Sequence, residues 1–498
     1  MSHRDTFHRR RDAISPSWGY VGKHRAKSSF SKSRAAIVAS LLTVTLAHPI
    51  PANALPSMPA LPGLNPATLG GSEGREVPIY GRIPNSDFAQ LFGQEPHSPG
   101  KPAQRFSEAQ QRAIAESPLN GLSATPSRAN QAGTLVSAKP VDLMVDHRAW
   151  NADAHQLRYN STDSMGRASI DGAMMIVPKT EWKGSGPRPL VAIAAGTQGT
   201  NPACDPSVST STGPVIQVGP LNIVTPYEVI PMIEHLQRGA AIVIVDHHRN
   251  SDGNQEYVDN ISSAQSLLDA AVATRELGID ASAPVGIYGY SQGGSAAAAA
   301  AERAEIYAPE LNVVATAAGA PPSDLLQVLA QIDGTVLTPA IALAMNSLLD
   351  KDPALRQVVH EHLNETGRNL LATTKNYCVS GLAMHHAFET THQYTASGEP
   401  LADIIADMPP VTTELGRQRI GNFKPNAPVF LYTGINDDVI PVEQVRALRD
   451  DWTKLGFTDL EYSEDSTPLV ANKSGLNHIL PMLNNLQRAN EFLWSQLQ

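Results

Sequence analysis

The chain has 498 residues, of which 42% are apolar and 17% charged, and its formal net charge is −10. This composition suits a globular enzyme rather than a disordered or membrane chain and leaves room for one large domain with an insertion. The negative balance argues against nucleic acid as a partner, because its phosphates are gathered by Lys and Arg.

At the N-terminus, residues 1–34 hold nine Lys and Arg against two Asp, a local charge of +7. An uncharged apolar stretch of 13 residues follows, Ala35 to Ala47, and then Ala52-Asn53-Ala54. A basic region, a short apolar run and an A-x-A site are the three parts of a secretory signal, so residues 1–54 are expected to be removed on export. Their loss takes the charge from −10 to −17, which disfavours tight adsorption to anionic lipid. The mature protein is expected to be secreted, free or in contact with the cell envelope, without a transmembrane span. From Leu55 proline punctuates the chain, with eleven between Pro56 and Pro126. Residues 55–115 read as a partly disordered lead-in with one short helix near Ser107–Glu116.

From about Gly133 short apolar runs alternate with amphipathic segments. Ala173–Val177, Leu190–Ala194, Ala240–Val245, Val285–Tyr288, Val313–Ala318 and Val429–Tyr432 are strand candidates. Most are unbroken apolar runs, as parallel strands covered on both faces require. Between two of them Ile261, Ala264, Leu268, Ala271 and Val272 share one helical face. This alternation predicts an α/β fold, a mostly parallel sheet with flanking helices. The rhythm stops between Ser323 and Gly421, where Leu325–Ile332, Pro339–Leu349, Leu355–Leu363 and Leu401–Asp407 are helix-like. The expected division is a core over residues 116–322 and 422–498, with a helical cap or lid inserted at 323–421.

Val285–Tyr288 runs into Gly289-Tyr290-Ser291-Gln292-Gly293-Gly294 and then an alanine-rich helix, which is the G-x-S-x-G nucleophile elbow between strand and helix. The turn lifts the Ser291 hydroxyl above the sheet, and the N–H of Gln292 at the helix start becomes an oxyanion donor. A serine hydroxyl needs a base to take its proton, and the base needs an orienting acid. In this chain order the acid and then the histidine follow the serine. Asp437 and Asp438, just after the last apolar strand, compete for the acid, with Asp437 favoured. His478 is the one histidine downstream of both, in a polar loop expected to precede a helix at Leu480–Leu497. The second oxyanion donor belongs after an early strand, where Ala194-Ala195-Gly196-Thr197-Gln198-Gly199 offers the N–H of Thr197 or Gln198. His247, His248, His385, His386 and His392 match no strong zinc spacing, so neither metal nor cofactor is expected. Cys204 and Cys378 are an even pair, which in an exported protein reads as one disulfide.

From roughly Pro118 to the C-terminus, these residues resemble the secretory lipases related to Candida antarctica lipase A, in their actinobacterial branch. The landmarks are Gly133-Thr-Leu-Val136, Tyr159-Asn-Ser-Thr-Asp163, Gly196-Thr-Gln-Gly199, Cys204-Asp-Pro-Ser207, the elbow, Gly319-Ala-Pro-Pro322 and Asp437-Asp-Val-Ile-Pro441. The resemblance implies an α/β-hydrolase fold with Ser291, Asp437 and His478 as triad. It also implies oxyanion donors at Gln292 and near Gln198, a Cys204–Cys378 bond, and a cap over an acyl-binding tunnel. Such enzymes hydrolyse triacylglycerols and simpler esters without a metal. The lead-in has no counterpart in the family, and Asp205 stands where its motif reads Cys-Ala-Pro-Ser. The expected function is that of a secreted serine ester hydrolase acting on acyl esters or lipids. The alternatives are an envelope acyltransferase with the same triad and a catalytically silent lipid-binding protein.

Overall fold

A computed structural model of the protein describes residues 131–143, 151–217 and 221–498. The expected signal (1–54), the lead-in (55–115) and its short helix near Ser107–Glu116 lie outside the described residues. In chain order the first strands are β1 (Leu135–Val141), β2 (Ala152–Thr162), β3 (Ala168–Pro178) and β4 (Leu190–Ala194). A small separate hairpin follows, β5 (Val215–Gln217) and β6 (Asn222–Val224). Then come β7 (Ala241–Val245), β8 (Pro284–Tyr290), β9 (Asn312–Gly319), β10 (Val429–Gly434) and β11 (Leu460–Asp465). Apart from the hairpin they form one nine-stranded sheet in the order β1-β2-β3-β7-β4-β8-β9-β10-β11. Neighbours from β7 to β11 are parallel, while β1, β2 and β3 run antiparallel at one end.

Strands β4, β7 and β10 are buried at every position, which is why they show as unbroken apolar runs. All six expected strands are present, and β1, β2 and β11 add to them. Strand β3 begins five residues before Ala173, in a polar stretch that pairs with β2.

Helices α1 (Pro206–Thr212), α2 (Val229–Gln237), α3 (Asn260–Ala273) and α4 (Gln292–Tyr307) lie between strands of the first part. Helix α3 corrects the expectation of one apolar face, since every residue of it except Val272 is buried. Several of its polar groups are satisfied inside the protein. Asp269 accepts hydrogen bonds from Ser161 Oγ at 2.9 Å and Tyr307 Oη at 2.7 Å, and Ser266 meets Tyr159 at 2.8 Å.

Between β9 and β10 the chain forms α5 (Leu325–Ile332), α6 (Ala340–Lys351), α7 (Pro353–His362) and α8 (Glu365–Thr374). It continues with α9 (Val379–His386), α10 (Leu401–Ala406) and α11 (Pro409–Arg417), and no sheet strand is found there among the described residues. Helix α12 (Val442–Lys454) follows β10, and α13 (Leu476–Leu497) closes the chain across β8, β9 and β10. Among the described residues no helix is long and apolar enough to cross a membrane.

Candidate active site

The residues singled out in the sequence gather at the carboxyl ends of β4, β8 and β10, where open α/β sheets place their ligand sites. Ser291 sits between β8 and α4 with φ 58° and ψ −123°. Such a conformation costs about 1–3 kcal/mol in a non-glycine residue and persists only when its surroundings enforce it. Here the enforcement is close packing of backbone on backbone. A Cβ on Gly289 would stand 1.9 Å from Gly293 O, and one on Gly293 would stand 2.1 Å from Ala194 O. The Ser291 N–H donates to Gly319 O at 2.9 Å, tying the turn to β9.

Beyond β10, Asp437 turns one carboxylate oxygen inward to accept the N–H groups of Val439 (2.9 Å) and Ile440 (2.8 Å). Its other oxygen lies 2.7 Å from His478 Nδ1, which places the donated proton on Nδ1. The imidazole therefore meets Asp437 and not Asp438. Asp438 Oδ2 accepts from Gly475 N at 3.0 Å and Asn477 Nδ2 at 3.2 Å, joining the acid loop to the chain just before His478. Burial raises the Asp438 pKa. Sequence reasoning missed this contact because nothing local to either segment signals it.

His478 itself departs from expectation. It lies in the first turn of α13, which starts at Leu476 and not at Leu480. Pro481 favours a helix start near itself, but Gly475, at φ 78°, makes the entry turn earlier and Pro481 is carried inside the helix. Tyr290, the residue before Ser291, contacts His478 directly. Its ring centroid is 5.1 Å from the imidazole and its hydroxyl donates to His478 O at 2.5 Å. His478 Nε2 has no hydrogen bond among the described residues.

The turn after β4 is held at each step. His247 Nε2 donates to Ala195 O at 2.7 Å, and burial lowers the His247 pKa to about 4, so the ring stays neutral. Thr197 Oγ1 meets Tyr257 Oη at 2.9 Å. The Gln198 side chain donates to Thr225 O at 2.9 Å and to both carboxyl oxygens of Glu228 at 3.2 Å. Gln198 O accepts from Val379 N at 2.9 Å, and Gly199 bridges Cys378. Gly199 is at φ +133°, and a Cβ there would lie 2.7 Å from Cys378 Cα. Cys204 and Cys378 form a disulfide that closes a separation of 174 residues. Replacing both cysteines by alanine is expected to lower stability by up to about 5 kcal/mol, read by denaturant unfolding.

Ser291, Thr197 and Gln292 line a cavity whose other walls are mostly aliphatic, including Leu325, Leu329, Ile341, Met345 and Ile405. One buried ion pair interrupts this wall, Lys351 of α6 with Asp259 at the start of α3. Lys351 also lies 3.4 Å from Glu414 of α11.

Asp163, His248 and Glu256 bring potential ligand atoms within 4.8 Å of one another, all buried. Arg167 already pairs with Asp163 and Glu256. Burial opposes the charge on His248, yet Asp171, Glu256 and Asp259 push its pKa up to about 9. Side chains thus supply the cations of this cluster. In α9 and beyond, His386 pairs with Glu389 at 2.9 Å and His392 lies 3.4 Å from Thr390 Oγ1.

The secretory lipase family matches residues 217–486. Over 338 residues the chain is 28% identical to a Mycobacterium tuberculosis protein named "probable inactive lipase", covering 67% of this chain and 73% of that one. It is 25% identical over 332 residues to a secreted triacylglycerol lipase of Malassezia globosa, covering 66% and 70%. Among solved structures, Candida antarctica lipase A in its closed state superposes with a TM-score of 0.63 at 18% identity, over 75% of this chain and 85% of that one. A rice-cell-wall-degrading esterase of Xanthomonas oryzae gives 0.59 at 16% identity, over 74% and 100%. At these identities the structural likeness establishes the α/β-hydrolase fold, and with the family match over more than half its length the chain belongs to the secretory lipase family.

Proposed function

We propose that the protein is a secreted serine hydrolase of carboxylic esters, acylglycerols among them, working through an acyl-enzyme on Ser291. The observation that carries this reading is the Asp437–His478 contact of 2.7 Å, held against the Ser291 elbow by Tyr290. Ser291 Oγ attacks the ester carbonyl carbon and His478 Nε2 takes its proton. Asp437 keeps the other ring proton on Nδ1 and stabilises the imidazolium. The tetrahedral oxyanion is met by the N–H groups of Gln292 and Thr197, which have no hydrogen bond among the described residues. Each such donor is worth about 3 kcal/mol of barrier. His478 then gives its proton to the leaving alcohol, and water repeats the sequence on the acyl-enzyme. Ser291 Oγ and His478 Nε2 close into contact when substrate binds, as catalytic hydrogen bonds tighten in the Michaelis complex.

Helices α5 to α11 act as the cap, and the aliphatic cavity beneath them receives the acyl chain. Filling it should therefore shift chain-length preference. Ile341→Trp is expected to lower the rate on p-nitrophenyl palmitate relative to butyrate by about tenfold or more. The assay that tests the function itself is hydrolysis of p-nitrophenyl esters from acetate to palmitate, combined with labelling by a fluorophosphonate. Turnover with the label on the Ser291 peptide supports the reading, and folded protein showing neither rejects it. The relative named a probable inactive lipase favours the catalytically silent alternative, and that second outcome is what the alternative requires.

A further inference from the structure

We infer that Glu228 is a positioning residue for the oxyanion turn, its buried carboxylic acid holding Gly196–Gly199 in the shape that presents the Thr197 N–H to the reacting carbonyl. This rests on the hydrolase reading and adds to it a residue that the local sequence does not mark. Glu228 lies just before α2, 30 residues from the turn, and is 2% exposed.

Two contacts of Glu228 and one of its neighbour Tyr227 form the support behind the turn. Gln198 Nε2 reaches both carboxyl oxygens at 3.2 Å, which fixes the Gln198 side chain. The Gly196 amide also interacts with the carboxyl group. Next to it, the Tyr227 hydroxyl donates to Thr197 O at 3.4 Å and fills the space a side chain on Gly196 would need. Residues 225–228 thus grip Gly196, Thr197 and Gln198 together.

The protonation state matters because the turn has to stabilise negative charge. No Lys, Arg or His pairs with Glu228 among the described residues. The groups facing it are Tyr227 beside it in the chain, Gln198 and Gly196 of the turn, and Asp246 at the end of β7. Tyr257, which braces Thr197, stands next to Tyr227. Burial pushes the Glu228 pKa up to about 8, with Asp246 adding to the rise. At neutral pH the group is therefore an uncharged acid that accepts from Gln198 without adding charge. Above about pH 8 it ionises, and a carboxylate behind the oxyanion site opposes the charge developing on the substrate.

The test measures kcat and KM on p-nitrophenyl butyrate from pH 6 to 10 for the full chain, Glu228→Gln and Glu228→Ala, with spontaneous hydrolysis subtracted. Glutamine copies the neutral acid, so Glu228→Gln is expected to keep neutral-pH kcat within about threefold of the parent. It is also expected to lose the fall in kcat that the parent shows above pH 8. Glu228→Ala is expected to lose about 100-fold in kcat, with a much smaller change in KM, as a misplaced donor would cause. An alkaline fall that is unchanged in Glu228→Gln overturns the assignment, as does a parental kcat in Glu228→Ala. Should the alanine variant not fold, the glutamine profile decides alone. Absence of any ester hydrolysis by the parent overturns the hydrolase reading, and this assignment with it. An active parent whose profile neither variant changes overturns only this assignment.

Discussion

Ser291→Ala is expected to lower ester hydrolysis by about 10⁶-fold with little change in stability. The size follows from how the triad members act. Without the serine oxygen no acyl-enzyme forms, and what remains is binding and the oxyanion donors acting on water. Stability should change little because the Ser291 side chain makes no capping hydrogen bond to α4. The strained φ is set by the backbone around the glycines and remains in the variant. Initial rates on p-nitrophenyl esters, measured beside a thermal melt, check both halves. A variant that melts like the parent and hydrolyses like it would remove Ser291 from the chemistry.

Asp437→Asn is expected to lower kcat by about 10⁴-fold, while Asp438→Asn stays within about tenfold of the parent. The asparagine can still accept the N–H groups of Val439 and Ile440 through one oxygen. The atom facing His478 Nδ1 then becomes an amide N–H₂, so Nδ1 must accept and the ring proton moves to Nε2. A histidine in that tautomer cannot take the serine proton. Asp438 bears no such relation to the imidazole, since its oxygen holds Gly475 and Asn477. Comparing kcat for the two single variants separates adjacent aspartates that the sequence alone leaves in competition. The opposite ranking would assign the acid to Asp438.

What the sequence made legible was what local chemistry dictates. Strands β4, β7, β8, β9 and β10 are apolar runs because both faces are covered, and the elbow shows its glycines because backbone crowds backbone. Strand β2 is different. Its sequence ADAHQLRYNST mixes polar and apolar residues, and several polar ones are buried with partners far along the chain, as Ser161 is with Asp269. Edge strand β11, LEYSED, is half-buried throughout and carries no run to recognise. The one-sided reading of α3 failed for the same reason, since Ser266 and Asp269 are satisfied by distant residues.

In the site, the residue types that chemistry requires were visible, and the residues that hold them in place were not. Ser291, Asp437 and His478 stand out through motif and chain order. Glu228, Tyr290 and the grip of Asp438 on Gly475 exist only as contacts between remote segments. The helix carrying His478 was placed too late because proline is a strong local signal, and the φ of Gly475 overrode it.

The disulfide also bears on how substrate can enter. The helical segment leaves the sheet after β9 and rejoins it before β10, and these two ends touch through Ile420 N and Ser323 O at 3.2 Å. A body attached there alone could rotate like a door on one jamb. Cys378 adds an attachment beside the β4 turn, on the other side of the β8 strand that delivers Ser291. The segment is therefore a strap buckled at both sides of Ser291, and it cannot swing clear as one piece. On the function proposed above, passage for an acyl chain has to come from individual helices parting beneath the strap. Cutting the buckle by reduction would free the rotation and loosen the turn at Gln198 and Gly199 in the same act.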